Sequence, residues 1–366
     1  MSFVGIEEKR KREFIRKTIR KFHLNLDGLT VFTEAATGNY LYTPVIAALA
    51  GARQVFAVTA DSKYGRKEDV KDRIMKEAKE LGVDNKITIL FEKDKDCLSK
   101  SDIVTNSGFV RPITKEIISC MKPTAVIPLM WETWEFRAEE LDLEACRDRG
   151  VLVLGTNEHH PSLDLFRSSG FSVCKLLFDK GFDVYKDKLL LISSGYIGNS
   201  IADFLIKNGV SFDRVVFDEK APEHQTEFVR SCEEVVNSLD SYDAIIVAEH
   251  QHNIDILSRN GFITTGLLKQ RNPSIQIIHI CGSVSQDDIF QENLALYPES
   301  IAPFGRMTVS ADYLGHKSTI ELIIAGLKVG EVMARCRLNG MSIEDTIKHT
   351  LQNSPAMDFE GGLVWQ

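Results

Sequence analysis

The unbroken apolar run Leu189-Leu190-Leu191-Ile192 leads directly into Ser193-Ser194-Gly195-Tyr196-Ile197-Gly198, and then into helical spacing over 199–207. A strand that feeds a glycine turn and a helix has few ways to fold. The run reads as a strand buried on both faces, with the helix packed back across its sheet. The first turn of such a helix carries N–H groups with no partner inside the helix, and the helix dipole adds partial positive charge, so the turn suits a phosphate. Gly195 lets the backbone approach the phosphates, and Gly198 lets helix and strand pack closely. Ser193 stands where the usual dinucleotide pattern begins with glycine, and serine turns less freely. About twenty residues beyond Gly198 stands Asp218, an acid of the kind that binds ribose hydroxyls and repels a 2′-phosphate; this favours NAD over NADP. Ser193, Gly195, Tyr196, Ile197, Gly198 and Asp218 are thus the candidate cofactor residues.

The same alternation of strand-like runs and helical periodicity fills most of the chain. Strands are expected at 29–33, 54–58, 87–90, 103–105, 125–129 and 151–154, then at 188–192, 214–217, 244–248 and 276–280. Helices are expected at 43–50, 67–81, 141–149, 199–207 and 318–338, with Gly51, Gly150 and Gly209 as stops. The implied class is α/β: two doubly wound domains with parallel sheets, joined by crossover helices. The expected division is a first domain over 1–160 that includes an N-terminal helix, a linking helix over 161–185, a cofactor domain over 186–317, and a C-terminal helix and tail over 318–366. Gly326 and Gly330 in the last long helix point to close packing against a neighbour.

Composition removes several classes of function. Formal net charge is −8, so no global field draws in nucleic acid or an anionic membrane. The basic stretch from Lys9 to Arg20 is interleaved with Phe14, Ile15 and Ile19, which suits an amphipathic helix and not a signal peptide. No apolar run approaches the ~20 residues that span a bilayer. The seven cysteines are widely spaced with no CxxC pair, so neither a zinc site nor a disulfide framework is expected, and a reducing cytoplasm is.

Further motifs give the chain a resemblance. Leu141-Asp142-Leu143-Glu144-Ala145-Cys146, followed by Arg149-Gly150-Val151-Leu152-Val153, is similar to a helix and strand of the D-isomer-specific 2-hydroxyacid dehydrogenases. Thr156-Asn157 stands where that family crosses between domains, and 163–177 resembles its crossover helix. The chain resembles S-adenosylhomocysteine hydrolase more distantly. The resemblance runs from about Ser99 to Gly315 and implies a flavodoxin-like substrate domain, a Rossmann domain binding NAD, and a homodimer formed through that domain. The family's catalytic pair is not matched. Cys281 stands at its arginine position, and Phe304, after Pro303, at its histidine position. Cysteine makes no bidentate contact to a carboxylate, and phenylalanine carries no proton.

Other residues must then supply the chemistry. His250 and His252 follow the strand at 244–248; His250 suits acid–base work and His252 substrate binding. His316, close to Arg306 and Asp312, is a second acid–base candidate beyond the lost histidine position. Arg111 could clamp an anionic group. Cys281 is expected near the cofactor. Thr37, Asn39, Trp131, Glu132 and His159 are candidate substrate contacts, since they follow strands or the domain crossing. Trp131 and Trp134 with their glutamates could equally pack in the core or wall a cationic substrate. His279 reads as a satisfied strand-end histidine.

The reading is an NAD-dependent oxidoreductase of a small polar metabolite with a non-standard catalytic set. The alternatives are a non-oxidative enzyme with tightly bound NAD and a catalytically silent dinucleotide-binding protein. A weaker one is an S-adenosylmethionine-dependent methyltransferase using the loop 33–39. No metal is expected.

Overall fold

The computed structural model describes residues 3–163, 165–217 and 220–359. The chain forms two compact units, Met1–Leu163 with His316–Gln366, and Asp164–Gly315.

In the first unit, β1 (Thr30–Glu34), β2 (Gln54–Val58), β3 (Ile87–Leu90), β4 (Ile103–Val104), β5 (Val126–Pro128) and β6 (Leu152–Thr156) form one parallel sheet. The order across it is β6-β5-β4-β1-β2-β3, and the strand Ala356–Met357 pairs antiparallel on the outer edge of β6. The chain builds outward from β1 to β3, then returns to place β4 on the other side of β1. Its switch point therefore lies between β1 and β4, where crevices open at the carboxyl ends of such sheets. The central strands are buried on both faces, as their continuous apolar sequence requires: β1, β5 and β6 have no exposed residue.

The second unit holds β7 (Lys188–Ile192), β8 (Ser211–Val215), β9 (Ala244–Ala248), β10 (Asp255–Ser258), β11 (Ile263–Thr264), β12 (Gln276–Cys281), β13 (Ser283–Val284) and β14 (Ala295–Tyr297). Five of these form a parallel sheet in the order β14-β12-β9-β7-β8, with its switch point between β7 and β9. A small sheet, β11-β10-β13, lies in the same unit.

The expected α/β class with doubly wound parallel sheets is the observed one. Several boundaries match, including Gln54–Val58, Lys67–Leu81, Ile87–Leu90, Lys188–Ile192 and Ala244–Ala248. Other elements differ. The strand expected at 214–217 is Ser211–Val215, and the helix after the glycine turn begins at Gly195 itself. The expected linking helix is Ser168–Asp179, and it belongs to the second unit, where Val173, Leu176 and Leu177 join the core.

The helix His316–Leu338 belongs to the first unit, not to a separate C-terminal element. Its small residues explain why. A Cβ on Gly326 would come within 2.7 Å of Met130 Sδ, and one on Gly330 within 2.9 Å of Ile103 Cγ2. Ile320, Ile323, Ile324 and Leu327 share the core with Val31, Val55 and Leu152. The N-terminal helix Phe3–Lys21 has the expected split character: Ile15 is fully buried, while Arg12 reaches across to Glu77 at 2.6 and 2.7 Å. No described helix is long and apolar enough to cross a membrane, and none of the seven cysteines, all of them described, is in a disulfide.

Candidate functional site

At the switch point of the second unit, β7 ends at Ile192 and the helix Gly195–Lys207 starts after two serines. Ser194 caps this helix with extended backbone; its side chain makes no capping bond and instead accepts the Phe217 N–H at 2.9 Å. Gly195 takes φ +59°, the left-handed region, and a Cβ there would collide with the carboxamide of Gln251. A Cβ on Gly198 would meet Ser193 Oγ at 2.6 Å, Ser193 O at 2.7 Å and Arg214 Nη2 at 2.5 Å. Both glycines are thus required by close approach. Serine serves at position 193 because its side chain turns inward: Oγ donates to Ala248 O at 2.5 Å and ties β7 to β9.

Two buried charges frame the turn, and neither stands out in the sequence. Arg214, on β8, is fully buried; Nε donates to Ser193 O at 3.0 Å, and Nη1 to Asn199 Oδ1 at 2.9 Å and to Gln225 Oε1. Gln225 passes the connection to Asp203 at 2.7 Å, which also meets His224 Nε2 at 2.6 Å. Glu249, just past β9, is also fully buried. It accepts the backbone N–H groups of Ser194 at 2.7 Å, Gln251 at 2.9 Å and His252 at 3.0 Å. Burial pushes this carboxyl up, but the donors outweigh it and hold the pKa below the ordinary value. Glu249 therefore stays ionised at the foot of the turn.

His250 is buried and packs edge-to-face on Tyr196 at 4.2 Å, and Tyr196 in turn on Phe166 at 4.5 Å. The fold thus brings His250 to the helix that opens at the turn. His252 lies beside Glu249, with Nδ1 at 3.3 Å, and near Phe217. Ile197 is buried in the core of the unit. Cys281 ends β12 and is buried. His279 is held on both nitrogens: Nε2 donates to Gly282 O at 3.1 Å, so Nδ1 accepts from Thr308 Oγ1 at 2.8 Å. Burial lowers its pKa to about 4, so it stays neutral and structural. Asp218, the expected ribose acid, lies outside the described residues.

The first unit gathers a different set at its own switch point. Glu34 ends β1 and is buried; its carboxyl accepts the N–H of Phe109 and lies so close to Gly108 that a Cβ would strike it. Burial lifts this carboxyl to about 7, against the opposing charge of Arg111. Beside it, Thr33 and Thr105 share a hydroxyl bond at 2.8 Å, and Ser107 donates to Thr105 at 2.9 Å. Arg111 stacks over Trp131, 4.9 Å from the ring centre, and pairs with Glu140 at 2.5 Å. The candidate anion clamp therefore already holds an internal carboxylate.

The loop after β5 completes this group. Glu132 is almost fully buried and accepts Trp134 Nε1 and the backbone N–H of Glu158, both at 3.0 Å. Glu135 faces Arg137 at 3.7 Å; burial, with Glu132 and Glu140 nearby, pushes it up to about 7 against the pull of Arg137 and Arg111. The Glu158 carboxyl is likewise raised well above the ordinary value, by burial and then by Glu135 and Glu132.

The remaining candidates scatter. Thr37 caps the short turn Gly38–Leu41, which contains Asn39. His159 is exposed at the end of the β6 loop, next to Glu158. His316 opens the long helix and packs edge-on against Phe14 at 6.1 Å, where burial, then Lys11 and Lys317, lower its pKa. It belongs to the first unit, against the N-terminal helix, whereas His250 belongs to the second. Among the described residues, no group of three or more His, Cys, Asp or Glu side chains is placed to hold a metal ion.

No protein-family model matches the sequence, and no curated protein does. Solved structures do resemble it. A dipicolinate synthase chain from Bacillus halodurans superposes with a TM-score of 0.54 at 10% identity, covering 82% of this chain and 96% of that one. Its counterpart from Bacillus subtilis gives 0.54 at 10%, covering 88% and 99%. The NAD-dependent formate dehydrogenase from Staphylococcus aureus, solved in complex with NAD, gives 0.44 at 13%, covering 80% and 98%. At these identities what is shared is the fold.

Proposed function

We propose that this chain is an NAD-dependent oxidoreductase of a small polar metabolite, with the dinucleotide on the second unit. The observation that carries the reading is the turn between β7 and the helix Gly195–Lys207. It has a helix start without a side-chain cap, a left-handed Gly195, and a Gly198 with room for nothing larger. That arrangement fits a pyrophosphate at the helix N-terminus. Ser194 N–H is engaged by Glu249, so the N–H groups from Gly195 onward are the ones that would face the phosphates. Bound NAD would supply or accept a hydride. The chain's own part is to hold the turn rigid through Arg214 and Ser193, and to carry a proton on His250.

Native mass spectrometry and a titration with NADH, followed by nicotinamide fluorescence, test this directly. Saturable binding of NADH, or NAD carried through purification, is the expected result. Failure to bind either NADH or NADPH would end the reading. His250→Ala should keep NADH binding and lose turnover; a wild-type protein with bound NAD and no net turnover on any 2-hydroxy acid or amino alcohol would favour an internal or silent cofactor instead.

Gln251 offers a second check. Its carboxamide fills the space beside Gly195 where a Cβ would fall, so a phosphate seated over Gly195 would displace it. Gln251→Ala should tighten NADH binding by roughly three- to tenfold in the same titration. Weaker binding would show that the amide helps to hold the phosphates.

A further inference from the structure

We propose that Glu249 sets the redox preference of the cofactor site, so that the second unit binds NAD⁺ more tightly than NADH. This rests on reading the turn after β7 as the dinucleotide site, and it adds which form of the cofactor that site selects.

The two forms differ by one charge. The nicotinamide ring is cationic in NAD⁺ and neutral in NADH, while the adenosine and the pyrophosphate are the same in both. A fixed charge close to the ring therefore acts on one form only, whereas its effect on the phosphates is common to the two and cancels in the ratio of their affinities.

Glu249 has the position for this. A dinucleotide lies across a switch point at the carboxyl ends of the strands. The acid expected to bind the adenosine ribose follows β8 in the chain, so the nicotinamide half falls to the other side, over the ends of β9 and β12. Glu249 directly follows β9. Its carboxylate holds the N–H of Ser194 in the glycine turn at 2.7 Å. On the other side, a Cβ on Gly282, just past β12, would lie 3.1 Å from its backbone oxygen. The residue thus stands between the phosphate turn and the end of β12.

Its surroundings keep that charge effective. The side chain is fully buried, so water and salt screen its field little. Its closest partners are the backbone N–H groups of Ser194, Gln251 and His252, with His252 Nδ1 further off at 3.3 Å. Neutral N–H groups steady a carboxylate without cancelling its charge. The buried cation at the turn, Arg214, is on β8, two strands away from β9 in the sheet. The pull of one buried charge on a cationic ring several ångströms away is worth roughly a factor of ten in affinity. By linkage, tighter binding of the oxidised form also makes the bound couple a stronger reductant than the free one.

The test is a set of titrations of the full chain at one pH. NADH is followed by nicotinamide fluorescence, and NAD⁺ by its displacement of NADH. ADP-ribose, which has the shared half without the ring, is displaced in the same way as a control. The wild type is expected to bind NAD⁺ roughly tenfold more tightly than NADH. Glu249→Gln should bring the two affinities within about threefold of each other, and should change those for NADH and ADP-ribose alike. Glu249→Asp keeps the charge and should keep the preference for NAD⁺, even where all three ligands bind more weakly. A merely structural role would move the three affinities together and leave their ratios alone. If circular dichroism shows Glu249→Gln unfolded, the wild-type ratio and the aspartate variant decide. The proposal is overturned by a wild type that binds NADH as tightly as NAD⁺, or by a folded Glu249→Gln protein that keeps the wild-type ratio, as it would if His252 carried a balancing charge. Binding of neither form is a different result: it ends the reading of the turn, and this proposal with it.

Discussion

Replacing Gly198 with alanine should destabilise the second unit by about 2 kcal/mol, and replacing it with valine by about 3 kcal/mol or more. Alanine is the better helix former by about 1 kcal/mol, which by itself would stabilise Gly195–Lys207. The steric term wins because the offending atom is the Cβ itself. It would lie 2.6 and 2.7 Å from Ser193 Oγ and O, and a backbone carbonyl cannot swing aside. Relief requires lifting the helix off β7, which would pull Asn199 from Arg214 and leave a buried guanidinium short of partners. Losing a partner of a buried charge is among the more damaging single changes. Urea melts of the two variants, with NADH titration alongside, check this. Wild-type stability in Gly198→Ala would mean that helix and strand leave room for a methyl group between them.

A second large effect concerns pH. Glu34→Gln should remove a pH dependence worth on the order of 3 kcal/mol. The carboxyl moves from an ordinary value of 4.5 to about 7 in the folded protein, chiefly through burial. Between those values the folded state holds a proton that the unfolded state has released. The stabilisation is thus complete below about pH 4.5 and is lost as pH rises through about 7. Glutamine stays neutral and keeps an acceptor for the Phe109 N–H. The two proteins should differ little at pH 5, while the variant should be the more stable at pH 8. Urea melts at both pH values decide it, and because Glu135 and Glu158 titrate in both proteins, the difference isolates Glu34. Parallel pH profiles would show that Glu34 ionises normally.

The residues that were legible in the sequence are those whose role is local. Leu189–Ile192 is apolar without a break because its strand is covered on both faces, and Gly195 and Gly198 punctuate the turn at its end. The buried carboxyls were hidden for the opposite reason. Glu34, Glu135 and Glu158 are ordinary glutamates until three strand ends converge on them, and burial by distant segments leaves no trace in the local pattern. Arg214 is a similar case. A charged residue inside an apolar stretch could have marked it, since a full positive charge within a parallel strand needs partners, but those partners, Ser193, Asn199 and Gln225, come from elsewhere in the chain. The helix His316–Leu338 was expected at nearly its observed length; only its allegiance was missed, because packing against Met130 and Ile103 is a long-range property. His316 and Arg111 were singled out for their residue types, and the structure gives both of them partners within the first unit.

The way the two units share the chain sets an order on their completion. The second is continuous from Asp164 to Gly315, while the first is built from two segments, one on either side of it. On the ribosome, Val31, Val55 and Leu152 emerge long before Ile320, Ile323 and Leu327, the helix residues that close their core. Domains usually finish in the order in which they are made. Here the unit that begins first is expected to finish last, with one apolar face of its sheet uncovered while the whole of its neighbour is synthesised.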